Sequence, residues 1–350
     1  MAFRSVTSRG LGTIAAALVV AALVASAGGC GGGGGRAAGP GGGVPPTSAT
    51  GFTQGVITGF GTIHMGSGTD EKVFHVEDAV LERLDDGVRH DGLDDDQVVF
   101  RVGMKVQVFH DGDKASEVRF MDELEGPITA KPSTVPGATF DVLGVPVRVD
   151  RETHFDDSIE HSGLTLAGLT VGNVIELSGD FDAGGVLHAT FIEGEHATAT
   201  GRTFEIKGHV SGLAGASPNQ TFTVNGATFT MNSSSVLRDM PAGLADGALV
   251  EVKTQSTTAP FVVTRIEGLA GDFDEAEAEV RGADEASVEG FIVGLTGTSP
   301  TFSFTLAGTP VVTSAATAGL TLVRANAHIE AEGPVGANGE IKAVKITSRP

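Results

Sequence analysis

The sequence predicts an all-β protein made of four small tandem units. Three observations carry that expectation. Val171 to Glu193 (VGNVIELSGDFDAGGVLHATFIE) alternates apolar and polar residues on either side of an Asp/Gly turn, the period of a β-hairpin. The same pattern returns three more times. No helix of normal length has a clear start signal after the N-terminal segment.

Each unit opens on a strand marked by a glycine: Gly55-Val56-Ile57, Gly126-Pro127-Ile128, Gly208-His209-Val210 and Gly290-Phe291-Ile292, at intervals of 71, 82 and 82 residues. A second strand with Phe follows in each, at Phe74, Phe140, Phe222 and Phe302. In the middle units a turn leads to a third strand, Val145 to Val149 and Ala227 to Met231. The hairpin's first strands are Val102 to Val108, Val171 to Leu177 and Asp246 to Val252, with a degenerate fourth around Ala325 to Glu330. Its closing strands are Ala115 to Phe120, Leu187 to Glu193, Phe261 to Glu267 and Ile341 to Thr347. Single turns are reasonable near Leu164 to Leu169 and Met240 to Leu244. Repeats of this length are too large for solenoid rungs and read as separate small domains. The expected boundaries are 51–122, 123–197, 198–268 and 288–350. The acidic stretch 269–287 is a linker or an edge strand.

Residues 1–29 read as an export signal. Arg4 and Arg9 form a basic start, Leu11 to Ala27 an apolar core, and Ala27-Gly28-Gly29 a small-residue cleavage site. Cys30 follows directly and is the expected lipidation site, although Ala27 stands where a lipoprotein signal usually has Leu. The alternatives are an ordinary secretory signal and an uncleaved anchor; the apolar run is a little short for a span of about 20 residues. Residues 30–50, rich in Gly and Pro, cannot bury surface and read as a flexible tether.

These repeats resemble a bacterial domain-of-unknown-function family, number 5666, found in tandem in Gly-tethered lipoproteins. The resemblance rests on Glu125 to Thr129, Val142 to Asp150, Thr153 to Asp157 and the Val171 to Glu193 hairpin. The second unit matches best, the first and third are looser, and the fourth lacks the Val-Gly pair. The resemblance implies small closed β-barrels of five to six strands, similar to OB-folds. It implies no activity.

Composition restricts function. The formal net charge is −21, and Trp and Tyr are absent. An OB-like barrel invites nucleic acid, but such sites need a basic groove and stacking aromatics. Here the charge has the wrong sign and the Phe residues alternate with Val and Ile, as core residues do, so no nucleic-acid partner is expected. With one cysteine, no disulfide framework forms within the chain.

The Asp-rich loops are the candidate metal site. Asp94, Asp95, Asp96, Asp156 and Asp157 offer oxygen ligands of the kind Ca2+ prefers. None has EF-hand spacing, and Asp and Gly are also what solvated turns use. Asp180 and Asp182 read as hairpin-turn residues in the same way. The ten histidines are scattered and lack zinc spacing. There is no nucleophile elbow, P-loop, zinc-protease motif or dinucleotide fingerprint. Paired carboxylates fall in turns, where nothing is expected to raise a pKa. The sequence therefore points to an exported, lipid-anchored module of the outer membrane or periplasm that works without catalysis or cofactor. Its expected partner is an envelope protein or glycan. A Ca2+-dependent adhesion or spacer module, and a hydrolase with a site between barrels, are the alternatives.

Overall fold

A computed structural model describes residues 50–66, 68–83, 88–91, 100–120, 122–130, 137, 139–156, 164–269 and 282–349, with no side-chain description at 83 and 88–91. Residues 51–120 form β1 (Gly51–Gly59), β2 (Ile63–Met65), β3 (Lys72–Phe74), β4 (Val80–Arg83), β5 (Val88–Asp91), β6 (Lys105–Asp111) and β7 (Lys114–Phe120). Residues 124–196 form β8 (Leu124–Pro127), β9 (Thr139–Val142), β10 (Val145–Arg148), β11 (His154–Asp156), β12 (Val174–Phe181) and β13 (Leu187–His196). Residues 204–268 form β14 (Phe204–Ala216), β15 (Asn219–Val224), β16 (Ala227–Thr230), β17 (Val236–Arg238), β18 (Leu249–Thr254) and β19 (Phe261–Gly268). Residues 285–348 form β20 (Glu285–Phe291), β21 (Val293–Thr298), β22 (Thr301–Leu306), β23 (Thr309–Val312), β24 (His328–Pro334), β25 (Ile341–Lys342) and β26 (Lys345–Ser348). Helical geometry among the described residues is limited to two 3-10 turns, Gly68–Asp70 and Leu320–Leu322.

The third segment shows how a barrel closes. β14 runs 13 residues and pairs with β18 through Phe204 to His209. A bulge between Ser211 and Ala214, with Gly212 at a φ of 64°, then bends it so that its far half pairs with β15. Bulges sharpen strand bending and twist. The ladder β14–β18–β19–β16–β15 therefore returns to β14 as a closed five-strand barrel.

The other segments follow the same order of pairings. In the second, β8–β12–β13–β10–β9 returns through the Ile128–Val142 bridge and a bond from the Leu143 N–H to the Pro127 carbonyl (3.0 Å). In the first, β7–β6–β1–β2–β3 returns through the His75–Lys114 bridge. In the fourth the first and last strands are broken: Ile292 separates β20 from β21, and Ala343-Val344 separates β25 from β26. The short hairpins use two-residue turns with positive φ at both positions: Leu143-Gly144, Asn225-Gly226 and Ala307-Gly308. This is the turn geometry whose twist matches paired strands.

Two expectations are refined. The hairpin of the fourth repeat, degenerate in sequence, still pairs: β24 and the broken β25/β26 complete the same circuit as elsewhere. The acidic stretch is not wholly a linker or edge, because Glu285 to Ser287 belong to β20, which lies between β1 and β24; residues 270–281 lie outside the described ones.

Pairing also joins segments. β1 runs parallel to β20 from Gly51–Glu285 to Gln54–Val288, and β8 meets β14 at Leu124–Ile206 and Glu125–Glu205. The cores follow suit. One spans the second and third segments, including Phe204, Phe222, Phe229 and Phe261. The fourth segment's core takes Phe52 and Phe109 from the first, and the first segment's core takes Phe191 from β13.

Ala307 carries a testable cost. It holds a φ of 43° without the local hydrogen bonding that Asn brings to such a position. Ala307→Gly should stabilise the fold by about 0.5–1 kcal/mol, read as a higher urea midpoint at unchanged slope.

Candidate functional site

A cavity of about 340 Å³ lies where the first, second and fourth segments meet. β12 reaches it through a bulge at Ser178/Gly179. A Cβ on Gly179 would stand 2.1 Å from the His188 carbonyl oxygen, so only glycine allows this close crossing. The turn at Gly103, with a φ of 98°, packs from the first segment against the Thr190 carbonyl and the His154 side chain.

The bulge sets Asp180 into the cavity wall, 4% exposed. Lys105, from β6, donates to Asp180 Oδ1 at 2.7 Å, and its own backbone N–H donates to Ser178 Oγ at 2.9 Å. Asp180 Oδ2 has no hydrogen bond; His328 Nε2 lies 3.6 Å away. Burial works against ionising Asp180, but Lys105 and His328 outweigh it and hold the carboxyl down at about 2.

The same His328 nitrogen lies 3.6 Å from Glu289 Oε1, on β20. Glu289 Oε2 is 3.6 Å from Arg349 Nε. Glu289 is 7% exposed, and burial pushes its carboxyl up to about 7, with Asp180 adding to the rise and His328 opposing it. Phe291 lies between two imidazoles, 4.4 Å from His188 and 4.6 Å from His328 by ring centroids. Val56, Ile57 and Val102 supply apolar wall, and Asp150, Glu152 and His154 are exposed at the rim. Asp182 holds the neighbouring turn, accepting from the Gly184 and Val186 N–H groups, while Asn326 Oδ1 accepts from the Ala183 N–H.

A second polar cluster lies across the shared sheet of the second and third segments. Glu193, Glu176, Glu125, Glu205, Lys253 and Arg265 stand opposite one another on six consecutive strands. Burial, then the Glu205 and Asp122 charges, push Glu125 up to about 8. Carboxylate oxygens of Glu176, Glu193 and Glu195 lie within 4.8 Å of one another. Lys207 lies between Asp122 and Glu205; burial opposes its charge, but these acids raise its pKa.

The residues expected from sequence fall differently. Asp94, Asp95, Asp96, Asp157 and Cys30 lie outside the described residues. Asp156 ends β11, where Arg101 Nε donates to its carboxylate. Asp182 is a turn residue. Asp180 is not: it is buried in the cavity. The expectation that nothing raises a carboxyl pKa concerned the turn pairs; burial raises other carboxyls, Glu289 and Glu125 on strands and Glu123 just before β8. The missed signal stood beside the repeated glycines: each is preceded by a polar residue, Gln54, Glu125, Lys207 or Glu289. A polar side chain at a fixed place in an otherwise apolar strand marks a packed face.

The architecture is that of an all-β protein containing a closed five-strand barrel. The model of the family described as Domain of unknown function (DUF5666) matches residues 125–193 and again 207–267, two segments in tandem. No curated protein matches. Among solved structures, the chain is similar to a multidomain protein with nucleic acid binding domains from Streptococcus pneumoniae TIGR4, at 12% identity and a TM-score of 0.13, covering 63% of this chain and 74% of that one. That likeness is too slight to bear on function. No helix among the described residues is long and apolar enough to cross a membrane.

The raised carboxyls fix a pH dependence. The native Glu289 carboxyl titrates near 7 against an ordinary 4.5, so the folded state binds the proton more tightly. That contribution is complete below 4.5 and is lost as pH rises through 7. Stability should fall between pH 5 and pH 8, as followed by urea denaturation. Glu289→Gln, which mimics the protonated form, should gain about 1–2 kcal/mol at pH 8 and little at pH 5. The full shift sets a ceiling of about 3 kcal/mol, and the lost attraction to Arg349 reduces it.

Proposed function

We propose that this protein is a lipid-anchored, extracytoplasmic binding module of four barrel units, and that its ligand site is the cavity between the first, second and fourth segments. The observation that carries the reading is the cavity itself. Three segments remote in sequence bring an ionised carboxylate, a carboxyl that titrates near neutral, two aromatic-flanked imidazoles and an apolar wall to one half-open space. Binding sites of this size combine an apolar lining with a few convergent polar groups. The anchor rests on Cys30 and its preceding apolar segment, followed by the glycine tether.

The site is tested by a thermal-shift screen of a library of small cations, anions and neutral molecules. Val102→Trp, at the apolar wall, should fill the space without touching its charges. Ligands at 100 times their Kd stabilise the native state by about 2.7 kcal/mol, a shift of several degrees. We expect such shifts in the wild type and not in Val102→Trp. A library without a single hit would overturn the reading. The anchor predicts that Cys30→Ser leaves the protein exported but released from the membrane fraction.

A second reading, a Ca2+-dependent spacer, is favoured by the convergence of Glu176, Glu193 and Glu195. On it, millimolar Ca2+ raises the Tm of metal-free protein, matched monovalent salt does not, and Glu176→Gln removes the difference. For a hydrolase, Asp180 and Glu289 have the separated acidities of a catalytic pair. Asp180 is already engaged by Lys105 at 2.7 Å, and Glu289 has only long contacts, with Arg349 and His328. We therefore read them as binding groups.

A further inference from the structure

We infer that the junction cavity takes a small organic cation, an amine carried on an apolar body, with the ammonium bound at Asp180 Oδ2. The inference rests on the reading of the cavity as a ligand site and specifies its chemistry.

The starting point is an unmet acceptor. Asp180 is 4% exposed and lines the cavity, yet only one of its oxygens is hydrogen-bonded, by Lys105 at 2.7 Å. The 3.6 Å to His328 is too long for a hydrogen bond. A buried carboxylate oxygen whose nearest donor stands beyond hydrogen-bonding distance is costly. An N–H donor arriving from the cavity relieves that cost, and a charged donor does so best, because charge-assisted bonds are the stronger ones.

The surrounding charge selects the sign. Asp150 and Glu152 are exposed at the rim, and the whole chain carries −21. An anion would enter against that field, and a cation is drawn in by it. Arg349 donates to Glu330, but its Nε, 3.6 Å from Glu289, makes no hydrogen bond, so the sign rests on the rim and the net charge rather than on this arginine.

Volume and lining select an organic cation over a bare ion. About 340 Å³ is far more than one metal ion fills, and Phe291, Ile57, Val56 and Val102 offer apolar contact. The carboxylate groups that converge as metal ligands, Glu176, Glu193 and Glu195, are not in this cavity.

Calorimetry on the full-length protein tests the inference with three probes of one shape and different charge: phenethylamine, 2-phenylethanol and phenylacetate. Agmatine and spermidine extend the amine set. At least one amine should bind, phenethylamine should bind at least tenfold more tightly than 2-phenylethanol, and phenylacetate should not bind. The rim double variant Asp150→Asn/Glu152→Gln should weaken amine binding two- to fivefold and flatten its salt dependence. Asp180→Asn should abolish binding. Because it also strips Lys105 of its partner, its fold must be checked by circular dichroism, and the rim variant and Val102→Trp stand as tests that leave that pair intact. Tighter binding of phenylacetate or the alcohol would overturn the amine assignment and leave the cavity a ligand site. Failure of all three amines would overturn the assignment as well. Failure of the wider library would remove the ligand site itself.

Discussion

Strand edges must be paired or covered, and in this chain one half-edge recurs as the problem. The first strand of each segment is flanked along one side by a hairpin strand. On the other side, only its far half is used to close the barrel. Thus β1 pairs with β2 from Ile57 onward, and β14 pairs with β15 from Val210 onward. The near halves are left open. An exposed half-edge invites association with other chains. Here the open halves satisfy each other, β1 with β20 and β8 with β14. That solution decides which segments become neighbours. The fourth segment lies beside the first, and the junction that holds the cavity exists because of it.

The junction then has to manage charge. Lys105 and Asp180 come from different segments and are both almost fully buried. Such a pair gains little against a well-packed apolar alternative, but losing one member strands the other. It therefore acts as a positional lock. The Lys105 backbone bond to Ser178 fixes the strand, the side-chain bond fixes Asp180 Oδ1, and the second oxygen is left facing His328. Glu289 gets no comparable partner. Its contacts with Arg349 and His328 are long, so burial dominates and the carboxyl holds its proton to near-neutral pH. Two carboxyls beside one imidazole thus differ in protonation because one is met by an ammonium at bonding distance and the other is not.

The fold was largely legible because the hairpins are written locally. Val171 to Glu193 shows its period of two and its Asp/Gly turn, and the strands observed are Val174–Phe181 and Leu187–His196. Asn225-Gly226 carries a recognised turn signal. Leu143-Gly144 and Ala307-Gly308 reach the same geometry without a favoured first residue, so only the glycine was readable. The fourth segment looked degenerate because its strands are interrupted at Ile292 and Ala343-Val344, breaks that disturb the alternation but not the pairing. The cavity was not legible. Asp180, Glu289 and His328 lie in separate segments, and no local pattern records that β1 and β20 pair. Asp180 also misled directly. Beside Asp182 and two glycines it reads as a turn residue, but the bulge at Gly179 turns it inward.

The pairing that hides the edges also brings like charges together. Because β8 meets β14, Glu125 stands opposite Glu205, with Glu176 opposite Glu125 and Glu193 beyond it. Like charges directly opposed across strands destabilise a sheet. Lys253 and Lys207 compensate at the Glu205 end, each within ion-pair distance of it. Glu125 lies between two acids, and its carboxyl rises to about 8. A carboxyl raised that far favours its neutral form at neutral pH, which eases the repulsion in the middle of the row. The register leaves no room to separate these charges, so burial and the neighbouring acids together raise the Glu125 carboxyl.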